Sequence, residues 1–243
     1  MKYLKWALII LVSICSNAYC GYSQINPLQQ KSIISTKIVA LRFDSQTDTL
    51  WIPDVPDKYP ALKRALSYKN IFDGDDLADV IKNYQSCGCG ITRLDYEITF
   101  ESEGILSIIL YFETMSAYPD DYQKYLTYNI STGKVYPIAN EINPKGLKWM
   151  VDYYKTTLRK RIIYDKATNE DESNDIYNEL KTAIDSVKSD DLFENYIFKQ
   201  EGVFISMDKI LPHVLNAIEP DRDLLIPYNK LKNFKAPGAM VLK

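Results

Sequence analysis

The stretch that most constrains this chain is Ile105–Ile138, ILSIILYFETMSAYPDDYQKYLTYNISTGKVYPI. Val, Ile, Leu, Tyr, Phe and Thr dominate Ile105–Thr114 and Tyr122–Ile130, which predicts two long strands broken by Ala117-Tyr-Pro-Asp-Asp121. Ser131-Thr-Gly-Lys134 reads as a hairpin turn with Gly133 where positive φ is needed, and Lys134–Ile138 as the return strand. Upstream, Ile91–Phe100 alternates with period two: Leu94, Tyr96 and Ile98 oppose Arg93, Asp95 and Glu97. Glu101-Ser-Glu-Gly104 turns it into the strand at Ile105. The expectation is a four-stranded antiparallel meander.

The flanks are mixed. Ile33–Phe43 predicts a strand, Asp44–Thr49 a turn and Leu50–Ile52 a short strand. Pro53, Pro56 and Pro60 should then prevent regular structure to about Tyr59. Short helices are predicted over Ala61–Tyr68 and Leu77–Tyr84. Asp73-Gly-Asp-Asp76 resembles a fragment of a calcium loop, but the later ligands do not arrive, and it reads as helix capping. Asn143-Pro144 opens a helix with Leu147, Met150, Val151, Tyr154, Leu158 and Ile162 on one side. Asp165–Ser173 is a polar loop, and a second amphipathic helix runs to Val187. Leu192–Lys199 and Val203–Met207 form a hairpin turning at Gly202. Leu224–Ile226 is extended, Pro227 opens a last helical turn through Phe234, and the tail Lys235–Lys243 should fray.

Residues 1–23 read as a secretory signal: Lys2 and Lys5, then the apolar Trp6–Cys15, too short to span a bilayer comfortably. A lipid on Cys20 is the alternative, although Tyr19 is a poor neighbour for a lipobox, and an uncleaved anchor is another. The chain is thus expected to be secreted or periplasmic, touching membrane only through this segment. The signal carries two lysines and no acid, so the remaining 27 basic and 32 acidic residues leave −5. No basic face accumulates, which disfavours nucleic acid. Tyr, at 19 copies, suits half-buried sheet faces and binding surfaces.

Candidate chemistry is sparse. Cys87 and Cys89 remain once the signal is removed; in an oxidising compartment they predict a disulfide, or else a thiol pair for redox work or a soft metal. His213 is the single histidine, in an apolar loop, with no nucleophile motif to serve and too few partners for zinc. No cofactor and no metal are therefore expected. Carboxylate-dependent glycan hydrolysis needs only two well-spaced acids, and Asp120 and Asp121 on the connecting loop are the candidates.

Several segments in series resemble one family: Tyr96-Glu-Ile-Thr, Gly104-Ile-Leu-Ser107, Ala117-Tyr-Pro119, Tyr128-Asn-Ile-Ser-Thr-Gly-Lys134, Asn195-Tyr-Ile-Phe, Glu201-Gly-Val-Phe and Ile226-Pro-Tyr-Asn-Lys-Leu-Lys232. Together they look like the RsiV-like extracytoplasmic domain, shared by the anti-sigma-V factor and PdaC-type deacetylases. The resemblance covers about residues 91–234; residues 24–90 match nothing in it and 235–243 form a tail. It implies an α+β fold: an antiparallel sheet (meander plus C-terminal hairpin) with two inserted helices packed on one face. It also implies binding to lysozyme, as in the anti-sigma member. Two departures stand out. No sigma-binding segment precedes the apolar stretch, and the family's Gly-Gly-Ala-His element reads Met115-Ser-Ala-Tyr here. The expected function is a non-enzymatic binding domain for a lysozyme-like cell-wall enzyme or for peptidoglycan, with Tyr118, Asp120, Asp121 and Tyr122 as the binding surface. The alternatives are a carboxylate-dependent glycan hydrolase and a Cys-Gly-Cys metal or redox protein.

Overall fold

The first strand, β1 (Ser35–Phe43), pairs along its whole length with β2 (Gln46–Asp54), from Ser35 opposite Asp54 to Phe43 opposite Gln46. The structure, a computed structural model, describes residues 32–168, 174–207 and 221–242, with 163–168 and 174–176 described by backbone alone. The segment read as a signal, Cys20 and His213 lie outside the described residues. The β1–β2 turn is only Asp44-Ser45, with Asp44 at φ 52°, rather than the six-residue turn expected. β2 also runs through Pro53, against expectation. A two-residue turn makes Phe43–Gln46 a hydrogen-bonded pair, so alternation leaves Thr36–Pro53 a non-bonded pair whose proline nitrogen points away from β1. There β2 meets the third strand only at Leu50–Leu94, and the missing N–H is harmless.

Three helices follow: α1 (Pro60–Ala65), α2 (Tyr68–Ile71) and α3 (Leu77–Cys87). Then come β3 (Gly90–Glu101), β4 (Ile105–Met115) and β5 (Pro119–Asn129), the expected antiparallel meander. The sheet order is β1-β2-β3-β4-β5, and the β2–β3 junction is parallel, so the sheet is mixed rather than wholly antiparallel. The turn after β5 forms as read. Gly133 has φ 65°, and the Asn129 side-chain carbonyl accepts from the Thr132 N–H at 2.9 Å and the Ser131 hydroxyl at 2.8 Å. The return strand does not form. It shrinks to one bridge, Tyr128 with Val135, because Pro137 has no N–H to continue a ladder and the chain turns into a 3-10 segment at Ile138–Asn140.

β4 reads as a continuous apolar run because both its faces are covered. Leu106, Ile108, Leu110 and Phe112 join a core with β1, β2 and α1–α3, whereas Ile105 joins a second core. That second core contains α4 (Pro144–Thr168), α5 (Asn174–Ser186), α6 (Ser189–Glu194) and an antiparallel sheet of β6 (Tyr196–Phe198), β7 (Gly202–Ile205) and β8 (Leu224–Pro227). Asn143 caps α4 through its side-chain oxygen, 3.0 Å from the Gly146 N–H, and Met150, Tyr154, Leu158 and Ile162 form its buried stripe. The helix continues to Thr168, past the loop expected from Asp165. The fold is α+β.

A polar seam joins the two sheets. The buried Ser107 hydroxyl shares a proton with Thr127 at 2.9 Å and accepts the Phe198 N–H at 3.1 Å, while Thr99 donates to the Phe198 carbonyl at 2.8 Å. These residues sit in an apolar context, so their hydroxyls are tolerated only because each is satisfied.

The tail, beyond α7 (Tyr228–Leu231) and a 3-10 turn, is docked rather than frayed. The wholly buried Glu141 carboxylate accepts the N–H groups of Met240 (2.7 Å), Val241 (3.0 Å) and Leu242 (2.9 Å) and the Tyr136 hydroxyl (2.7 Å). Met240 then rests on Gly104, where an added Cβ would lie 2.0 Å from its methyl carbon.

Candidate functional site

β4 and β5 stay paired as far as Met115 opposite Pro119, closed by Ser116-Ala117-Tyr118. Along these strands burial changes from full at Ile105–Leu110 to exposure at Glu113, Met115 and Pro119–Gln123, so the hairpin tip stands clear of both cores. Tyr118 at its end is 80 % exposed. An open cleft of about 560 Å³ lies along the tip, bordered by Thr92, Tyr111, Phe112, Glu113, Asp120, Asp121 and Tyr122 among others.

The four residues expected to form one binding surface are adjacent but do not share a face. Period-two alternation sends Asp120 and Tyr122 one way and Asp121 the other. On one face Tyr122 lies opposite Phe112, with rings parallel within 4° and centroids 4.6 Å apart. Lys124 extends over Phe112, donates to Asp73 at 2.6 Å and to the Ile71 carbonyl at 2.8 Å, and so ties the hairpin to the loop before α3. Asp73, read from sequence as part of a capping cluster, is the acceptor in that tie. Partial burial pushes the Tyr122 phenol up to about 12, with the Asp73 charge adding to it. The Asp120 carboxylate folds back onto its own strand and accepts the Asp121 N–H at 2.9 Å.

On the other face Asp121 lies directly opposite Glu113, and Glu113 opposite Arg93, whose guanidinium donates to Glu113 at 3.1 Å. Arg93 also covers the Trp51 ring. Like charges facing each other across a ladder are unfavourable, and Arg93 offsets one of the pair. The result is a row Arg93–Glu113–Asp121 that leaves Asp121 facing solvent. The two acids expected for hydrolysis, Asp120 and Asp121, are consecutive on an exposed strand and so project to opposite faces, which is a poor arrangement for two-carboxylate hydrolysis.

Cys87 and Cys89 are bonded to each other, with Cα atoms 5.1 Å apart, at the junction of α3 and β3. Gly88 between them closes α3 at φ 64°, and the Phe43 ring packs so closely that an added Cβ would lie 2.6 Å from it. In this state neither sulfur is a thiolate for a metal or for nucleophilic attack.

Sequence reasoning missed Glu141. A carboxylate two residues before the Asn-Pro cap of a helix looks solvated, and only the tail's return buries it. It also missed a second hollow of about 700 Å³ between the β1–β2 hairpin and α1–α2, where Lys37 donates to the Tyr68 hydroxyl at 2.6 Å and Lys63 pairs with Asp57 at 2.7 Å.

No family model matches the sequence, and no curated protein matches it. Among solved structures, the chain is similar to a DUF3298 family protein from Pseudomonas aeruginosa PAO1, with a TM-score of 0.54 and 15 % identity over 85 % of this chain and 96 % of that one. A member of the same family from Bacteroides fragilis NCTC 9343 gives a TM-score of 0.49 and 12 % identity, covering 84 % and 93 %. At this identity the likeness is one of fold alone.

Proposed function

We propose that this chain is an exported, non-enzymatic binding domain that uses the β4–β5 tip to dock on a basic cell-wall enzyme of lysozyme type. The observation that carries the reading is the tip itself. It presents Tyr118 at 80 % exposure and Met115 at 38 %, with the carboxylates of Asp120 and Asp121 on the two faces of the adjoining strand. A projecting aromatic with a charged rim is the arrangement of an interface anchor. The net charge of −5 after the signal steers a basic partner toward it. The RsiV-like resemblance and the signal supply the extracytoplasmic setting. Glycan is the second reading, favoured by the parallel Phe112–Tyr122 pair, whose outer ring face suits stacking against a sugar.

Titration calorimetry against a lysozyme-type enzyme and against soluble peptidoglycan fragments separates the two. Tyr118→Ala is expected to weaken protein binding at least about tenfold, as removal of a central aromatic anchor does. Tyr122→Ala should act mainly on glycan. Failure of both ligands to bind the wild-type chain refutes the proposal.

A further inference from the structure

We infer that the chain forms a two-fold dimer by antiparallel pairing of β1 with β1 of a second copy, which extends the five-stranded sheet across the symmetry axis. The two edges of that sheet are built differently. β5 is protected: Pro119 lacks a donor, Asp120 occupies the Asp121 N–H, and the Val135 bridge and the Tyr136 N–H, 2.8 Å from the Thr127 carbonyl, cover its far end. β1 has none of these devices. It is nine residues long, contains neither proline nor bulge, and pairs in unbroken register with β2.

The register identifies which main-chain groups are left over. Phe43–Gln46 closes a two-residue turn and is a hydrogen-bonded pair, so odd-numbered residues of β1 bond to β2. The N–H and C=O groups of Thr36, Ile38, Ala40 and Arg42 therefore point outward. Among the described residues none of these main-chain groups has a partner. In the middle of this row Ile38 is 66 % exposed, beside the half-buried Trp51 opposite it on β2.

The occupant follows from charge and spacing. Placing the two-fold axis at Ile38 sets Ile38 against its own copy, Thr36 against Ala40 and Lys37 against Val39. No like charges stand directly opposite one another, and apart from Lys37 each of these positions is a β-former, apolar or small. Of the strand's two cations, Lys37 is drawn aside onto Tyr68, to whose hydroxyl it donates at 2.6 Å, and Arg42 lies beside the β1–β2 turn, away from the axis. An isologous contact closes on itself and ends at two copies, and so does not propagate into fibres.

Sedimentation equilibrium of the full chain over a concentration series tests this. A monomer–dimer equilibrium is expected, with Ile38→Lys raising the dimer Kd at least about tenfold by placing two lysines on the axis and removing apolar contact. Val135→Lys changes an equally exposed residue, also 66 %, away from the β1 edge, and should leave the Kd unchanged. Both sites are exposed, so neither variant should fail to fold. Ile38→Cys, oxidised, should give a disulfide-linked dimer, since directly opposed residues sit about 5.5 Å apart at Cα. A wild-type chain that stays monomeric at all concentrations overturns the inference. So does a dimer indifferent to Ile38→Lys, and so does protection of the Ile38 and Ala40 amides from exchange in a monomer, which would mean the chain's own residues cover the edge.

Discussion

Replacing Glu141 by Gln tests whether one buried carboxylate holds the C-terminal tail. Glu141 receives four donors, three of them successive tail amides, and is wholly buried. Gln keeps the shape but turns one oxygen into a donor. Whichever way the amide turns, at least one tail N–H faces that nitrogen and stays unsatisfied, which costs about 1–3 kcal/mol. The other three bonds fall from charge-assisted to neutral, about 1 kcal/mol each. The expected loss is about 4–6 kcal/mol, a large part of the roughly 5–15 kcal/mol that stabilises a domain. For a chain of this size each kcal/mol lowers Tm by about 2–4 °C, so the melt should fall by roughly 8–24 °C. Urea unfolding supplies the free energy, and amide exchange at Met240, Val241 and Leu242 shows whether the tail lets go first. A loss below about 1 kcal/mol, with those amides still protected, refutes the claim that the carboxylate is the anchor.

Ser107→Ala removes the acceptor of the buried Phe198 N–H, so it should cost about 1–3 kcal/mol, read from a shifted urea midpoint at unchanged slope. Gly133→Val should cost more than the ordinary 1 kcal/mol of a surface change, because φ is 65° and an added Cβ would lie 2.2 Å from the Ala61 carbonyl; Gly74→Ala, positive in φ but with nothing near its Cβ, is the comparison, and both are read by thermal melt. Alkali should destabilise the fold. Tyr84 is buried and donates to Asp48 at 2.6 Å, and burial pushes its phenol up to about 12, as at Tyr122. The folded state thus holds protons that the unfolded chain releases near pH 10, so stability is full below pH 10 and declines between about pH 10 and 12. Absorbance titration at 295 nm, tracked with circular dichroism, should show late-titrating phenols appearing together with unfolding; smooth titration of every tyrosine near pH 10 in a folded protein would contradict this.

The hairpin that carries the candidate site was legible in the sequence. Alternation in Ile91–Phe100, the aliphatic run at Ile105 and the break at Ala117–Asp121 located the projecting hairpin. The same period of two also separates Asp120 and Tyr122 from Asp121, which a reading of the loop as one surface overlooks. The Cys87–Cys89 bridge was one of two readings that the sequence left open. Nothing local announced that Arg93 would meet Glu113, or that Lys124 would reach Asp73 across 51 positions, since those partners are set by register and by the way α2 turns into α3.

By itself the sequence determined the β3–β4–β5 meander, the turn at Gly133 and the helix start at Asn143: side-chain periodicity, a glycine at a positive φ and a cap act within a few residues of themselves. Tertiary structure alone decided that β2 joins β3 in parallel and that Glu141 is a buried anchor rather than a solvated acid. Each of those outcomes depends on a group distant in the chain, Leu94 for β2 and the Met240–Leu242 amides for Glu141, and the free energy of a buried hydrogen bond exists only once both partners have left water.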